Sequence, residues 1–134
     1  MILVDTNVWS ELTKRQPELR VIAWLADNEA QLHLSVLVIA ELRRGCEMPK
    51  AKQYRQIFEA GLAYLEAVYA ARTESFDVQD AHIFGKLAAN RTLGSKTIDA
   101  QIAAQAIARN MTLATRNVQD FAWTGVRLVN PWMD

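Results

Sequence analysis

The chain has 134 residues, of which 51% are apolar, which suits a folded domain with a real core and excludes a disordered chain. Acidic and basic residues balance at 15 each, so composition excludes a strongly basic nucleic-acid binder, though bound metal ions can supply the positive charge that phosphates need. No apolar run approaches the roughly 18 residues of a membrane span, no basic signal-peptide region opens the chain, and the single cysteine, Cys46, makes a reducing, cytoplasmic setting the default expectation.

Residues 1–134 read as one domain without repeats or linkers. Ile2, Leu3 and Val4 form an apolar run that ends in Asp5-Thr6-Asn7. Such a run is the pattern of a strand buried on both faces, with an acid at the carboxyl end, where open α/β sheets keep their ligand crevices. Trp9 to Lys14 reads as a short helix, and Pro17 opens a second one to about Asn28, striped by Leu19, Ile22, Ala23 and Leu25. Leu32 to Leu34 is a short strand. Ser35 then serves as N-cap, and Gly45 as C-terminal stop, for a helix that carries Glu41.

Pro49 stands at the start of a further helix, in which Tyr54, Ile57, Phe58, Leu62, Leu65 and Tyr69 recur at helical spacing. Gly61 interrupts that stripe and marks close packing. Thr73 to Phe76 reads as a strand, and Asp77 with Asp80 as a capping box for a helix to about Leu93. Ser95 or Thr97 begins a helix with Ile98, Ile102, Ala103, Ala106 and Ile107 on one side, whose alanines allow close approach to a sheet. Asn110 is a left-handed terminator. Thr112 to Thr115 and Arg127 to Val129 complete the strands. The alternation predicts an α/β fold, with a mostly parallel sheet of about four to five short strands flanked by helices.

Most of the acids fit exposed helix faces or ends: Glu11, Glu18, Asp27, Glu29, Glu47, Glu59 and Glu66. Asp77 and Asp80 are absorbed by capping, worth roughly 0.5–2 kcal/mol without any catalytic role. Asp5, Glu41 and Asp99 remain. Asp5 has an alternative as an Asx-turn or N-cap, and Asp99 as a first-turn acid stabilised by ~0.3–1 kcal/mol from the helix dipole. Glu41 is harder to place, because Leu37, Val38 and Leu42 put it at the apolar edge of its helix, where an unpaired carboxylate is costly. A shared divalent cation explains all three together.

Hard carboxylate oxygens suit Mg²⁺ or Mn²⁺, whereas zinc would call for histidine and cysteine. His33 and His82 lack ligand-like spacing, and Cys46 reads as a small buried apolar residue. No G-x-S-x-G elbow, glycine-rich phosphate loop or dinucleotide fingerprint is present. Metal-activated water attacking a phosphodiester is the most economical chemistry. Arg43, Arg44, Lys50, Lys52 and Arg55 form either a solvated helix face or a phosphate-steering patch. Trp9 and Trp24 read as core or dimer contacts, and Trp123 and Trp132 as edge covers.

The segments ILVDTNVWSEL (Ile2 to Leu12), SVLVIAELRRG (Ser35 to Gly45), TIDAQIAAQAIARNMTLATRNVQDF (Thr97 to Phe121) and the closing NPW (Asn130 to Trp132) resemble the PIN-domain family, and most of all its VapC and FitB toxins. The resemblance runs through nearly the whole chain in order. It implies a PIN-like fold and a Mg²⁺- or Mn²⁺-dependent endoribonuclease, leaving 5′-phosphate and 3′-hydroxyl ends. It further implies a homodimer neutralised by a small antitoxin of the VapB/FitA kind, with operator DNA bound only through that antitoxin. Carried over, Asp5, Glu41 and Asp99 are the metal-binding catalytic acids. Thr6 and Thr115 orient ligands or waters, and Arg116 is a candidate for substrate phosphate.

One departure stands out. Where many relatives have a fourth acid, this chain has Asn117, which keeps a carbonyl oxygen and loses a charge. Asp120 either reaches inward, if Val118 to Phe121 forms a helical turn, or is a solvent-exposed acid. A single ion is therefore expected. Two other readings compete: a phosphatase or receiver built on Asp5, weakened by Asn7 and by the lack of a strand-end lysine, and a degenerate PIN module that binds RNA or protein without cleavage.

Overall fold

Leu3 and Val4 have no solvent exposure in the computed structural model, which describes residues 1–134, and they lie in the central strand of a five-stranded sheet. The strands are β1 (Ile2–Val4), β2 (Leu32–Ser35), β3 (Thr73–Glu74), β4 (Thr112–Ala114) and β5 (Leu128–Val129). Their order is β3-β2-β1-β4-β5, and every neighbouring pair is parallel. Leu32, Leu34, Leu113 and Ala114 are as fully buried as Leu3, which is why these strands read as unbroken apolar runs. The chain leaves β1 toward β2 on one side and returns to β4 on the other. The topological switch point therefore lies between the carboxyl ends of β1 and β4, where α/β sheets open their crevices.

The helices are α1 (Thr6–Trp9), α2 (Leu19–Asp27), α3 (Val36–Glu47), α4 (Arg55–Val68), α5 (Val78–Ala88), α6 (Thr97–Ala108) and α7 (Val118–Phe121). Ser35 caps α3 as expected, its Oγ accepting from the Leu37 N–H at 3.0 Å. The Asp77–Asp80 capping box is present, and Asn110 takes the left-handed conformation with φ 55°. Val118–Phe121 does form the short helix on which the placement of Asp120 depends.

Several boundaries differ from the sequence reading, each for a local reason. Helix formation begins at Thr6 rather than Trp9, because Asp5 caps it, and Ser10–Thr13 tightens into a three-ten turn. Gly45 is no terminator: α3 runs through it to Glu47, and Met48 turns extended (φ −66°, ψ 141°) ahead of Pro49, which disfavours helix in the preceding residue. Pro49–Tyr54 is a three-ten turn ahead of α4. β3 stops at Glu74, short of Phe76, and α5 ends at Ala88, short of Leu93. Gly61 does mark close packing, since a Cβ there would meet Thr13 Cγ2 at 2.8 Å.

The core is a cluster of 19 buried residues running from Leu3 and Trp9 through Leu34 and Leu65 to Ile102 and Phe121. α6 is buried nearly all round, by Ala100, Ile102, Ala103, Ala104 and Ala106, so it packs at alanine distance. Polar bonds fix its position. Gln105, with no solvent exposure, accepts from Ser35 Oγ at 2.5 Å and donates to the backbone carbonyls of Glu74 (3.2 Å) and Ser75 (2.9 Å). Arg109 grips fully buried Asp80 through both carboxylate oxygens and reaches Glu74 Oε1 at 2.9 Å. Asp80 and Glu74 are thus structural, and His33 packs its Nδ1 against Glu74 Oε2 at 3.0 Å.

Candidate functional site

Asp5 leaves β1 at the switch point and is 5% exposed. Its Oδ1 accepts from the Thr6 N–H at 2.8 Å, so it is both the cap of α1 and a wall of the crevice. Its Oδ2 accepts from Thr115 Oγ1 at 2.8 Å and from Asn7 Nδ2 at 3.4 Å. Thr115, with no solvent exposure, follows β4, and its Oγ1 also accepts from the Asn117 N–H at 3.1 Å. The Asn7 amide donates to Thr115 Oγ1 at 3.3 Å while its carbonyl accepts the Arg116 N–H at 3.2 Å. Read from the sequence, Asn7 served to weaken a phosphatase or receiver built on Asp5. In the fold it bolts the end of β1 to the loop after β4.

Glu41 comes from α3, and its Oε1 accepts from Thr6 Oγ1 at 2.5 Å. Asp99 comes from the first turn of α6. Asp5, Glu41 and Asp99 line one cavity of about 410 Å³ with no hydrophobic residue in its wall. Thr6, Asn7 and Asn117 complete its inner surface, and Ser10 and Lys14 stand on its α1 side. Three acids separated by up to 94 positions therefore share one polar pocket at the switch point.

The carboxylates feel one another. Burial pushes the Asp99 carboxyl up to about 6, with further upward pressure from Asp5 and Glu41 and a partial offset from Lys96. Burial also raises Asp5, against the hydrogen bonds from Thr115 and Thr6 that lower it. Asp120 lies on α7, close enough to push both groups up, and its side chain pairs with Lys96 Nζ at 3.0 Å. Of the two residues left open at the fourth position, Asn117 lines the cavity and Asp120 is held beside it by a cation.

The donor set is made of carboxylate and amide oxygens, with no sulfur or imidazole, and fits a hard divalent cation. The fit is one of chemistry rather than finished geometry, because no three such side chains converge tightly enough to hold an ion as they stand. Glu41 is turned onto Thr6, which donates to its Oε1.

Glu11 is a correction. It was expected on an exposed helix face, yet it is 2% exposed, accepts the Glu18 N–H at 2.8 Å and pairs with Lys14. No periodicity signals this, since the three-ten turn breaks the helical phase. The basic patch after Glu41 is partly structural: Arg43 reaches Glu47 and Glu59 at 3.4 and 3.1 Å, and Arg55 Nε donates to the Cys46 carbonyl at 2.7 Å. Cys46 is buried, and Trp9 is core, with its ring centroid 5.0 Å from that of Tyr69. Arg116 is exposed, and its guanidinium sits 5.1 Å above the Trp132 ring.

A larger, mainly apolar groove of about 1290 Å³ runs between α3 and α4. It shares Thr6, Ser10, Lys14 and Glu41 with the acid cavity, so the two are continuous. No helix is long and apolar enough to cross a membrane.

The PIN domain family profile matches residues 2–123. The chain is 36% identical to the VapC ribonuclease Y4jK of Sinorhizobium fredii, covering 98% of each, and 34% identical to the toxin FitB of Neisseria gonorrhoeae, covering 100% of each. Among solved structures it is similar to FitAcB from Neisseria gonorrhoeae, with a TM-score of 0.88, 32% identity and full coverage of both chains.

Proposed function

Because the chain belongs to the PIN domain family, we propose that it is a Mg²⁺- or Mn²⁺-dependent endoribonuclease and the toxin of a toxin–antitoxin pair. The observation that carries this reading is the meeting of Asp5, Glu41 and Asp99, from three remote segments, in one cavity lined by no hydrophobic residue. These three acids would hold the ion, and Asn117 offers an amide oxygen at the same wall. When bound, a divalent ion supplies a water of lowered pKa and stabilises charge developing on the phosphoryl oxygens.

The chain's own residues do the positioning. Thr115 and Asn7 fix the orientation of Asp5 by donating to its Oδ2, and Thr6 holds Glu41 by its Oε1. Asn117 in place of an acid leaves the site one negative charge short, so one ion per site is expected. Asp99 accepts a proton near pH 6, so its hold on a cation weakens in acid. Arg116, whose backbone N–H donates to Asn7, is the candidate contact for a substrate phosphate. The products carry 5′-phosphate and 3′-hydroxyl ends.

The toxin reading brings a homodimer, a small VapB/FitA-like antitoxin, and operator DNA reached only through that antitoxin. The apolar groove suits the antitoxin, since a chain lying in it reaches Thr6 and Glu41 at the edge of the acid cavity. A reduced, cytoplasmic setting fits the lone buried Cys46. A degenerate binding module is the second reading, favoured by Asn117 and by the incomplete convergence of the acids.

The test is cleavage of total cellular RNA by antitoxin-free protein in Mg²⁺, Mn²⁺ or EDTA, beside Asp5→Ala. Metal-dependent cuts that vanish in the variant are expected. Cuts that persist in EDTA or in Asp5→Ala overturn the metal-site reading, and metal binding without cuts favours the binding module.

A further inference from the structure

Lys14 lines the acid cavity yet bonds to none of its three acids; its ammonium pairs instead with Glu11. That choice needs explaining. A lysine on a flexible stem beside three carboxylates is drawn onto them, where it would occupy the place of a metal cation. In the fold Glu11 takes the ammonium instead. Its side chain is 2% exposed, against 51% for Lys14, so the pair has a fixed buried anion and a cation that still faces solvent.

Glu11 is itself held. Its Oε1 accepts the Glu18 N–H at 2.8 Å, and the Ser10–Thr13 turn that carries it is braced where Thr13 meets Gly61 of α4. Arg116, anchored at Asn7, is near enough to help keep Glu11 ionised. A buried carboxylate is tolerated only when paired in this way, so its placement fixes where the ammonium stands.

Resting on the ribonuclease reading, we infer that Glu11 is a positioning residue that holds Lys14 at the cavity wall to bind an RNA backbone phosphate next to the cleaved one. Lys14 then gives the wall of the acid cavity a cation, so the polyanionic substrate meets positive charge beside the acids. Lys14 is the point-charge type of phosphate contact, which sets affinity and register without reading bases.

The experiment is anisotropy binding of a fluorescein-labelled, mixed-sequence single-stranded RNA across a salt series, with Ca²⁺ replacing Mg²⁺ so that binding is read without cleavage. Wild type, Lys14→Gln, Lys14→Arg, Glu11→Gln and the Glu11→Gln/Lys14→Gln double variant are compared. Lys14→Gln is expected to weaken binding about fivefold and to lower the log–log salt slope by about 0.7, one phosphate contact on a single strand. Lys14→Arg restores both. Glu11→Gln, which keeps the acceptor for the Glu18 N–H, weakens binding alone but adds nothing to Lys14→Gln, because it acts through that lysine.

Wild-type affinity and slope in Lys14→Gln overturn the inference while leaving the ribonuclease reading intact. So does a Glu11→Gln effect that persists without Lys14. A wild-type protein that binds no RNA overturns the ribonuclease reading, and this inference with it.

Discussion

Replacing Asp99 with asparagine should stabilise the metal-free protein while destroying its metal site. Asp99 titrates near 6 in the fold against 3.8 for an ordinary aspartate, a gap of about 2 pH units. At ~1.4 kcal/mol per unit this is about 3 kcal/mol of strain in the ionised folded state. Water still reaches the partly buried side chain, and asparagine forfeits the helix-dipole contribution of ~0.3–1 kcal/mol. A net gain of about 1–2 kcal/mol remains, or roughly 3–8 °C in melting temperature for a domain of this size.

The sign follows from linkage. The folded pKa is raised, so between about pH 4 and 6 the folded state holds the proton that the unfolded state has released, and stability falls as pH rises. The cost is absent below about pH 4 and complete above about pH 6. Thermal melts of wild type and Asp99→Asn in EDTA should therefore diverge across that window and run parallel above it. Added Mg²⁺ should raise the melting temperature of wild type alone. A variant that is no more stable than wild type at neutral pH, or whose gain is the same at pH 4 as at neutrality, would refute the reasoning.

Thr115→Val removes the hydroxyl that donates to Asp5 and accepts from Asn117. Cleavage should fall at least tenfold, its acidic limb should move to higher pH as Asp5 loses that bond, and stability should drop by about 1–3 kcal/mol; pH–rate profiles and urea melts check both. Arg109→Met strips buried Asp80 of its partner and should cost about 3–5 kcal/mol by urea denaturation. Gly61→Ala drives a methyl into Thr13 Cγ2 and should cost about 1–3 kcal/mol, most of it recovered by adding Thr13→Ser, which removes that methyl. An unchanged melting temperature in the single variant would contradict the contact.

The central strands were legible because burial on both faces leaves an unbroken apolar signature, and Asp5 is conspicuous at the end of one. Glu41 stood out because its apolar neighbours give a carboxylate little reason to be there, and Asp99 because one cation shared with Asp5 and Glu41 explained all three acids together. Glu11 was missed for the converse reason: the Ser10–Thr13 turn is three-ten, and helical phase assigns its side chain to the wrong side. The end of α3 was misplaced because Gly45 offered a terminator while Pro49 acted as one, through the extended Met48 before it. Asn7 illustrates a further gap. Its hydrogen bonds to Thr115 and Arg116 span more than 100 positions, and only the pairing of β1 with β4 creates them.

The most direct test of the metal site is calorimetric titration of Mn²⁺ into the antitoxin-free protein at neutral pH, beside Asp99→Asn. The account predicts one ion per chain for wild type and its loss in the variant. No heat of binding in wild type, or undiminished binding in Asp99→Asn, would contradict it.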